Sequence, residues 1–251
     1  MRICSALLAL SLLAACAGDP VAAPSFSIEG PQATPAGPEI ASLVATGRAR
    51  VEAFFGQPFA KPVRVAVSPT RAALDASLPA KWGIAPTQCW MVGVGADSLF
   101  ALLSPSAWAT EACEHDGKDA AHIQEIVTHE LTHVYHGQHN PTGDFTGMDD
   151  AGWFVEGLAV LVSGQLNDGK RPSAAEAIAK GAAPAILADA WSGKFRYGVS
   201  GSMVAFIDAT RGRGMTFNLL GAVNNKQILD RLGVSETEFL ASWRAWVTRP
   251  A

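Results

Sequence analysis

The stretch that most constrains this chain is His129-Glu130-Leu131-Thr132-His133. Two histidines four residues apart lie one turn apart on the same face of a helix, so both imidazoles can meet one metal ion. Glu130 is displaced around that helix but stays close enough to reach a water at the ion. The surroundings favour the helix: from Asp119 to His136, Ile123, Ile126, Val127, Leu131 and Val134 recur on one buried side. A metal site built for chemistry needs a third protein ligand and one open position. His139 is one candidate, six residues after His133. That spacing belongs to H-E-x-x-H-x-x-G-x-x-H, which needs Gly three residues after the second His, where this chain has His136. The preferred candidate is Glu156, in Trp153-Phe154-Val155-Glu156-Gly157-Leu158-Ala159, twenty-three residues after His133. On a second helix packed antiparallel to the first, its carboxylate would reach the metal from the side, and the small residues that follow would let the helices approach closely.

A helix pair of this kind must be buried. With 251 residues, 49% of them hydrophobic, the chain can supply a core as one generous domain or two small ones. Lys plus Arg number 19 against 23 Asp plus Glu, so no basic excess exists to neutralise phosphates and nucleic acid is not an expected partner. Four cysteines are too sparse for a disulfide-framework fold.

The amino terminus accounts for part of the apolar bias. Met1-Arg2 is followed by an apolar run from Ile3 to Leu13, too short for a ~30 Å hydrocarbon layer but suited to a signal-peptide core. The run ends in Leu13-Ala14-Ala15-Cys16, which resembles a bacterial lipobox, and implies removal of residues 1–15 and lipidation of Cys16. Residues 16–38, with Pro20, Pro24, Pro31, Pro35 and Pro38, read as a Pro/Gly-rich tether. No later run of ~18 apolar residues is present to span a bilayer, so the membrane is met through the lipid alone.

The folded part is expected from Glu39 to Ala251, in lobes of about 39–140 and 141–251. A helix is read over 39–55, closed by Gly56. Val63 to Val67 alternates as a strand, 69–78 reads as a short helix, and 90–94 and 99–103 read as paired strands across Gly95-Ala96-Asp97-Ser98. Beyond Gly152, helices are expected at roughly 153–164, 173–190, 196–211, 214–222 and 235–247. Strands first and helices later make an α+β chain: a small lobe with a short sheet and the histidine helix, then an all-helical lobe.

Together, His129-Glu130-Leu131-Thr132-His133 and Trp153 to Ala159 resemble the gluzincin zinc metallopeptidases, closest to the small peptidase MA-like lipoproteins of bacteria. Tyr197 to Gly212 is similar to that family's Tyr- and Ser-containing helix, and Gly233-Val234-Ser235 through Trp246 extends the likeness to about residues 60–248. The resemblance implies a zincin-like fold and one zinc ion per chain on His129, His133 and Glu156. It further implies peptide hydrolysis with Glu130 as general base. Tyr197 is the candidate donor to the oxyanion, against a bland role as a half-buried packing residue. The strand pair at 90–103 would take peptide along its edge. One departure stands out. Thermolysin-type members carry an Asp four residues after the ligand Glu to orient a His; here that residue is Val160, so the orienting partner must come from elsewhere.

The expected whole is a monomeric, lipid-anchored envelope protein of the periplasmic face or cell surface, acting on a peptide or protein. The alternative is a lipoprotein that keeps the fold, and even the zinc, as a binding or scaffold module. With Cys4 and Cys16 accounted for, Cys89 and Cys113 remain to form a disulfide, which export permits. Tyr135 should point away from the metal face. His115, His122, His136 and His139 read as solvated or rim residues, and Asp149-Asp150 as a solvated turn. Gly198-Val199-Ser200-Gly201 falls one residue short of G-x-S-x-G, which sets a serine hydrolase aside.

Overall fold

Val63–Ser68 holds Val63, Val65 and Val67 in a β-branched run that is buried on nearly every residue, as befits an interior strand covered on both faces. In the computed structural model, which describes residues 24–167 and 171–249, this strand is β2 of a four-stranded sheet. The others are β1 (Phe26–Glu29), β3 (Gly93–Ala96) and β4 (Leu99–Leu103), in the order β1-β2-β4-β3. β1 and β4 run parallel to β2, and β3 is an antiparallel edge strand with Val94 opposite Ala101.

Two expectations about this sheet are corrected. The segment 16–38 is not tether throughout, because Phe26-Ser27-Ile28-Glu29 pairs with Val63 to Ala66. Its alternation of half-buried and exposed residues suits an edge strand, a signal that the surrounding prolines masked. The hairpin turn is also tighter than expected: β3 continues through Gly95 and Ala96, leaving Asp97-Ser98 to reverse the chain, with Asp97 at φ 48°.

Helices α1 (Ile40–Phe55) and α4 (Ala120–His139) pack side by side, and α4 lies against β3 and β4. Asp119 caps α4 by accepting from the backbone N–H groups of Ala121 and His122. Between them, α2 (Arg71–Ser77) and α3 (Trp108–Glu111) flank the loop that carries Cys89, which forms a disulfide with Cys113. Next, α5 (Gly152–Ser163) packs on α4 and, on its other side, on α7 (Arg196–Arg211).

The carboxy-terminal half is helical, as read. However, α6 (Arg171–Ala179) is much shorter than the expected 173–190: Gly181 takes φ 66° and Ala182 N–H turns back to the Ala177 carbonyl. Then follow α8 (Arg213–Leu219), α9 (Asn225–Leu232) and α10 (Glu236–Val247), the last opened by a Ser235/Glu238 capping box. The sequence reading passed over α9, which buries only Ile228 and Leu232 behind polar neighbours and is fixed by Asn224 and Gly233 at its ends. Thus the described chain is α+β, with ten α-helices and one small sheet. No helix among the described residues is long and apolar enough to cross a membrane. The expected signal peptide and Cys16 lie outside the described residues.

Candidate metal centre

α4 presents His129 and His133 on consecutive turns, and α5 brings Glu156 to them from the side. The two Nε2 atoms lie 3.0 Å apart. Glu156 Oε2 is 3.3 Å from His129 Nε2 and 3.7 Å from His133 Nε2. One ligand atom from each residue falls within a 4.8 Å span, so the trio could hold one metal ion. Both histidines are buried, whereas the Glu156 side chain keeps 27% of its exposure and faces a cleft of about 670 Å3. The donor set fits a metal: two imidazole nitrogens and a carboxylate oxygen converge, with room beside them. Burial alone would raise the Glu156 carboxyl. The His133 and His129 rings, by charge and hydrogen bonding, outweigh burial and hold it well below the usual carboxylate range.

His129 is oriented by a residue the sequence reading missed. Its Nδ1 lies 2.8 Å from Gln165 Oε1, which fixes Nδ1 as the protonated nitrogen and turns Nε2 toward the centre. Gln165 follows Gly164, the left-handed residue that ends α5, and no motif marks it. Val160, where thermolysin-type members keep an Asp, is fully buried and turned toward α7, where a Cβ on Gly201 would come within 2.7 Å of Val160 Cγ1. The position therefore faces a helix contact and not the histidines.

Glu130 is buried where β3 crosses α4. A Cβ on Gly93 would stand 2.7 Å from Glu130 Cγ, and one on Gly95 would stand 2.2 Å from the Glu130 carbonyl oxygen. Only glycine lets the edge strand approach this closely. Burial pushes the Glu130 carboxyl up to about 7. The charge of His129 opposes that rise, Glu156 adds to it, and the Gly95 N–H draws it back.

Tyr197, near the start of α7, lines the same cleft. Burial raises its pKa and the Glu156 and Glu130 carboxylates raise it further, while Arg196 opposes them, so the hydroxyl keeps its proton at neutral pH. Tyr135, by contrast, is sealed against Phe55 and Phe59 with ring centroids 4.4 and 5.2 Å away. It points away from the cleft, as expected.

The remaining histidines divide. His139 is not in the cluster: its Nδ1 lies 2.8 Å from the Tyr135 carbonyl and its ring stacks on Tyr135. His136 is not a rim residue but wholly buried, with Nε2 3.2 Å from the Leu220 carbonyl. His115 and His122 do line the cleft, joined at 2.9 Å, and His115 reaches the Trp90 carbonyl at 2.8 Å. Ser200 donates to the Ala190 carbonyl and is buried, a structural role. Asp150 is more than a solvated turn. It accepts from Asn225 N–H at 3.0 Å, while the Asn225 side chain bonds Trp153 Nε1, tying α9 to the start of α5.

A second missed residue is Arg71. Its guanidinium donates to the carbonyls of Gln88, Cys89, Met91 and Glu111 and to Thr87 Oγ1, gathering the loop that forms one cleft wall. The chain matches no protein-family profile, no curated protein and no solved structure at a significant level.

Proposed function

We propose that this chain is a zinc-dependent metallopeptidase of gluzincin type with a zincin-like fold. The observation that carries the reading is the convergence of His129, His133 and Glu156 on one point of a cleft that also holds Glu130. His129, His133 and Glu156 would hold the zinc ion, which when bound would supply the Lewis acidity that polarises a peptide carbonyl and brings a water's pKa toward ~7. Glu130, one residue after His129 and lining the same cleft, would take a proton from the attacking water and give it to the leaving amine. Tyr197, protonated and lining the same cleft as Glu156, would donate to the developing oxyanion. Gln165 accepts from His129 Nδ1–H and so favours the tautomer whose Nε2 lone pair is free for a metal.

Zinc content and peptide-library cleavage, compared in the wild type and Glu130→Gln, test the reading. Zinc in both proteins with cleavage only by the wild type is the expected result. Undiminished cleavage by the variant overturns the general base, and zinc without any cleavage favours the binding-module alternative. Export and lipid anchoring belong to the same proposal. The Cys89–Cys113 disulfide supports it, since such bonds persist in oxidising compartments. Cys16→Ser should then release the protein from membranes, and retention would sink the anchor.

A further inference from the structure

The described residues that line the cleft include five carboxylates, Glu114, Glu130, Asp144, Asp149 and Glu156, and one Arg or Lys, which is Arg196. Arg196 is the first residue of α7, so the helix start carries its stem to the wall of the cleft that holds the candidate metal centre. Its guanidinium carbon lies over three aromatic rings, 5.8 Å from the Trp90 centroid, 5.5 Å from Trp191 and 5.3 Å from Tyr197. Such rings attract a cation by their faces. They cannot use its in-plane N–H groups, which number five and match a planar carboxylate two at a time. No carboxylate among the described residues pairs with Arg196, although Asp144, in the same cleft, is already joined to Lys81 at 3.2 Å. Among the described residues, an arginine held over aromatic faces in an otherwise acidic cleft has no carboxylate partner.

Resting on the peptidase reading, we propose that Arg196 selects substrates by binding a carboxylate of the peptide, either its free C-terminus or an Asp or Glu side chain. The surrounding acidic groups repel that carboxylate from every other part of the wall, so the pairing also sets which way the peptide lies. Arg196 is a specificity residue in this scheme and takes no part in the proton transfers.

The test uses the zinc-loaded full chain carrying Glu130→Gln, so that bound peptide is not consumed, with calorimetric titration of three probes. These are N-acetyl-Ala-Ala-Phe with a free C-terminus, the same peptide as its C-terminal amide, and N-acetyl-Ala-Glu-Phe amide. At least one carboxylate probe should bind roughly 10–100-fold tighter than the neutral amide, the range for hydrogen bonds to a charged group. Which probe gains identifies the source of the carboxylate. Adding Arg196→Gln should bring the ratio to about one, while Arg196→Lys, which keeps the charge without the fork, should retain part of it. Equal binding of all three probes, no binding of any, or an advantage that survives Arg196→Gln overturns the proposal. If Arg196 only positions Tyr197, Arg196→Gln in the otherwise wild-type chain lowers kcat, while in the Glu130→Gln chain it leaves the binding ratio intact, which also overturns it. The two readings fail separately. Wild-type cleavage indifferent to carboxylate sinks the specificity role alone, whereas carboxylate-selective binding with no cleavage by the wild-type chain sinks the peptidase alone.

Discussion

In both histidine pairs of the cleft, two imidazole nitrogens come within hydrogen-bonding distance: 3.0 Å for His133 and His129, and 2.9 Å for His115 and His122. They differ in what sets that distance and in what completes it. His129 and His133 belong to consecutive turns of α4, so the helix itself fixes their spacing. His115 sits on the loop before α4, and its place depends on tertiary ties: the disulfide two residues earlier, the Trp90 carbonyl, and Arg71 beneath the Cys89 loop. The floor pair is completed by a carboxylate, the rim pair by a carbonyl. An anion beside two ring nitrogens invites a cation. A carbonyl that occupies one of them uses up the pair as a structural tie.

The sharpest way to break the comparison is to remove the carboxylate. Glu156→Ala should weaken zinc binding on the order of 10^2–10^3-fold, since each ligand of a four-ligand site carries roughly a quarter of ~10–16 kcal/mol. His115→Ala and His139→Ala should leave zinc affinity nearly unchanged. Competition with a zinc-binding dye measures all three, and a large loss on His115→Ala would move the site to the rim. Next in size is the disulfide. Cys89→Ser with Cys113→Ser should lower stability by about 3.5 kcal/mol in the loop-entropy description, read by urea unfolding. Zinc affinity should hold, because no floor ligand depends on that loop. Gln165→Leu acts the other way. It should weaken zinc binding roughly 10–100-fold, the usual effect of losing a group that orients a ligand, with little change in the urea midpoint.

How far the sequence discloses this arrangement depends on the range of the interactions. The spacing of His129 and His133, the capped start of α4 at Asp119 and the Glu156 segment are local patterns, and the helices obey them. The cysteine pair follows by elimination. Gln165, Arg71 and Asp150 act on partners 36, 16 to 40 and 75 residues away, and no local pattern announces such contacts. Gly93 reads as an ordinary strand position and Gly95 as part of the turn, yet the two are what lets β3 lie on Glu130. The Ala-rich segment after Arg171 misleads in the opposite sense: it has helical composition, but Gly181 ends the helix after one short run.

His136 sharpens the comparison least in energy but tests burial directly, because of the two α4 histidines that join neither pair, His136 and His139, it is the fully buried one. Burial pushes its pKa down to about 3, and the neighbouring His133 and His139 rings push the same way, against the Leu220 carbonyl that favours its proton. In the unfolded chain the same ring titrates near ~6.5. Above that pH both states leave it neutral and it contributes no pH dependence. Between ~6.5 and about 3, the unfolded chain binds a proton that the native one refuses, so stability falls as pH falls, by at most ~1.4 kcal/mol per pH unit. His136→Leu removes the titrating group. It should cost only about 1 kcal/mol at pH 7.5, because Asn140 Nδ2 still donates to the Leu220 carbonyl at 2.8 Å and the ring's other neighbours are Phe145 and Phe154. Urea unfolding at pH 7.5, 6 and 5 should show wild-type stability declining more steeply than that of the variant, so that the two converge or cross in acid. Parallel pH profiles would mean that native His136 takes up its proton freely, and the sealed environment on this face of α4 would be wrong.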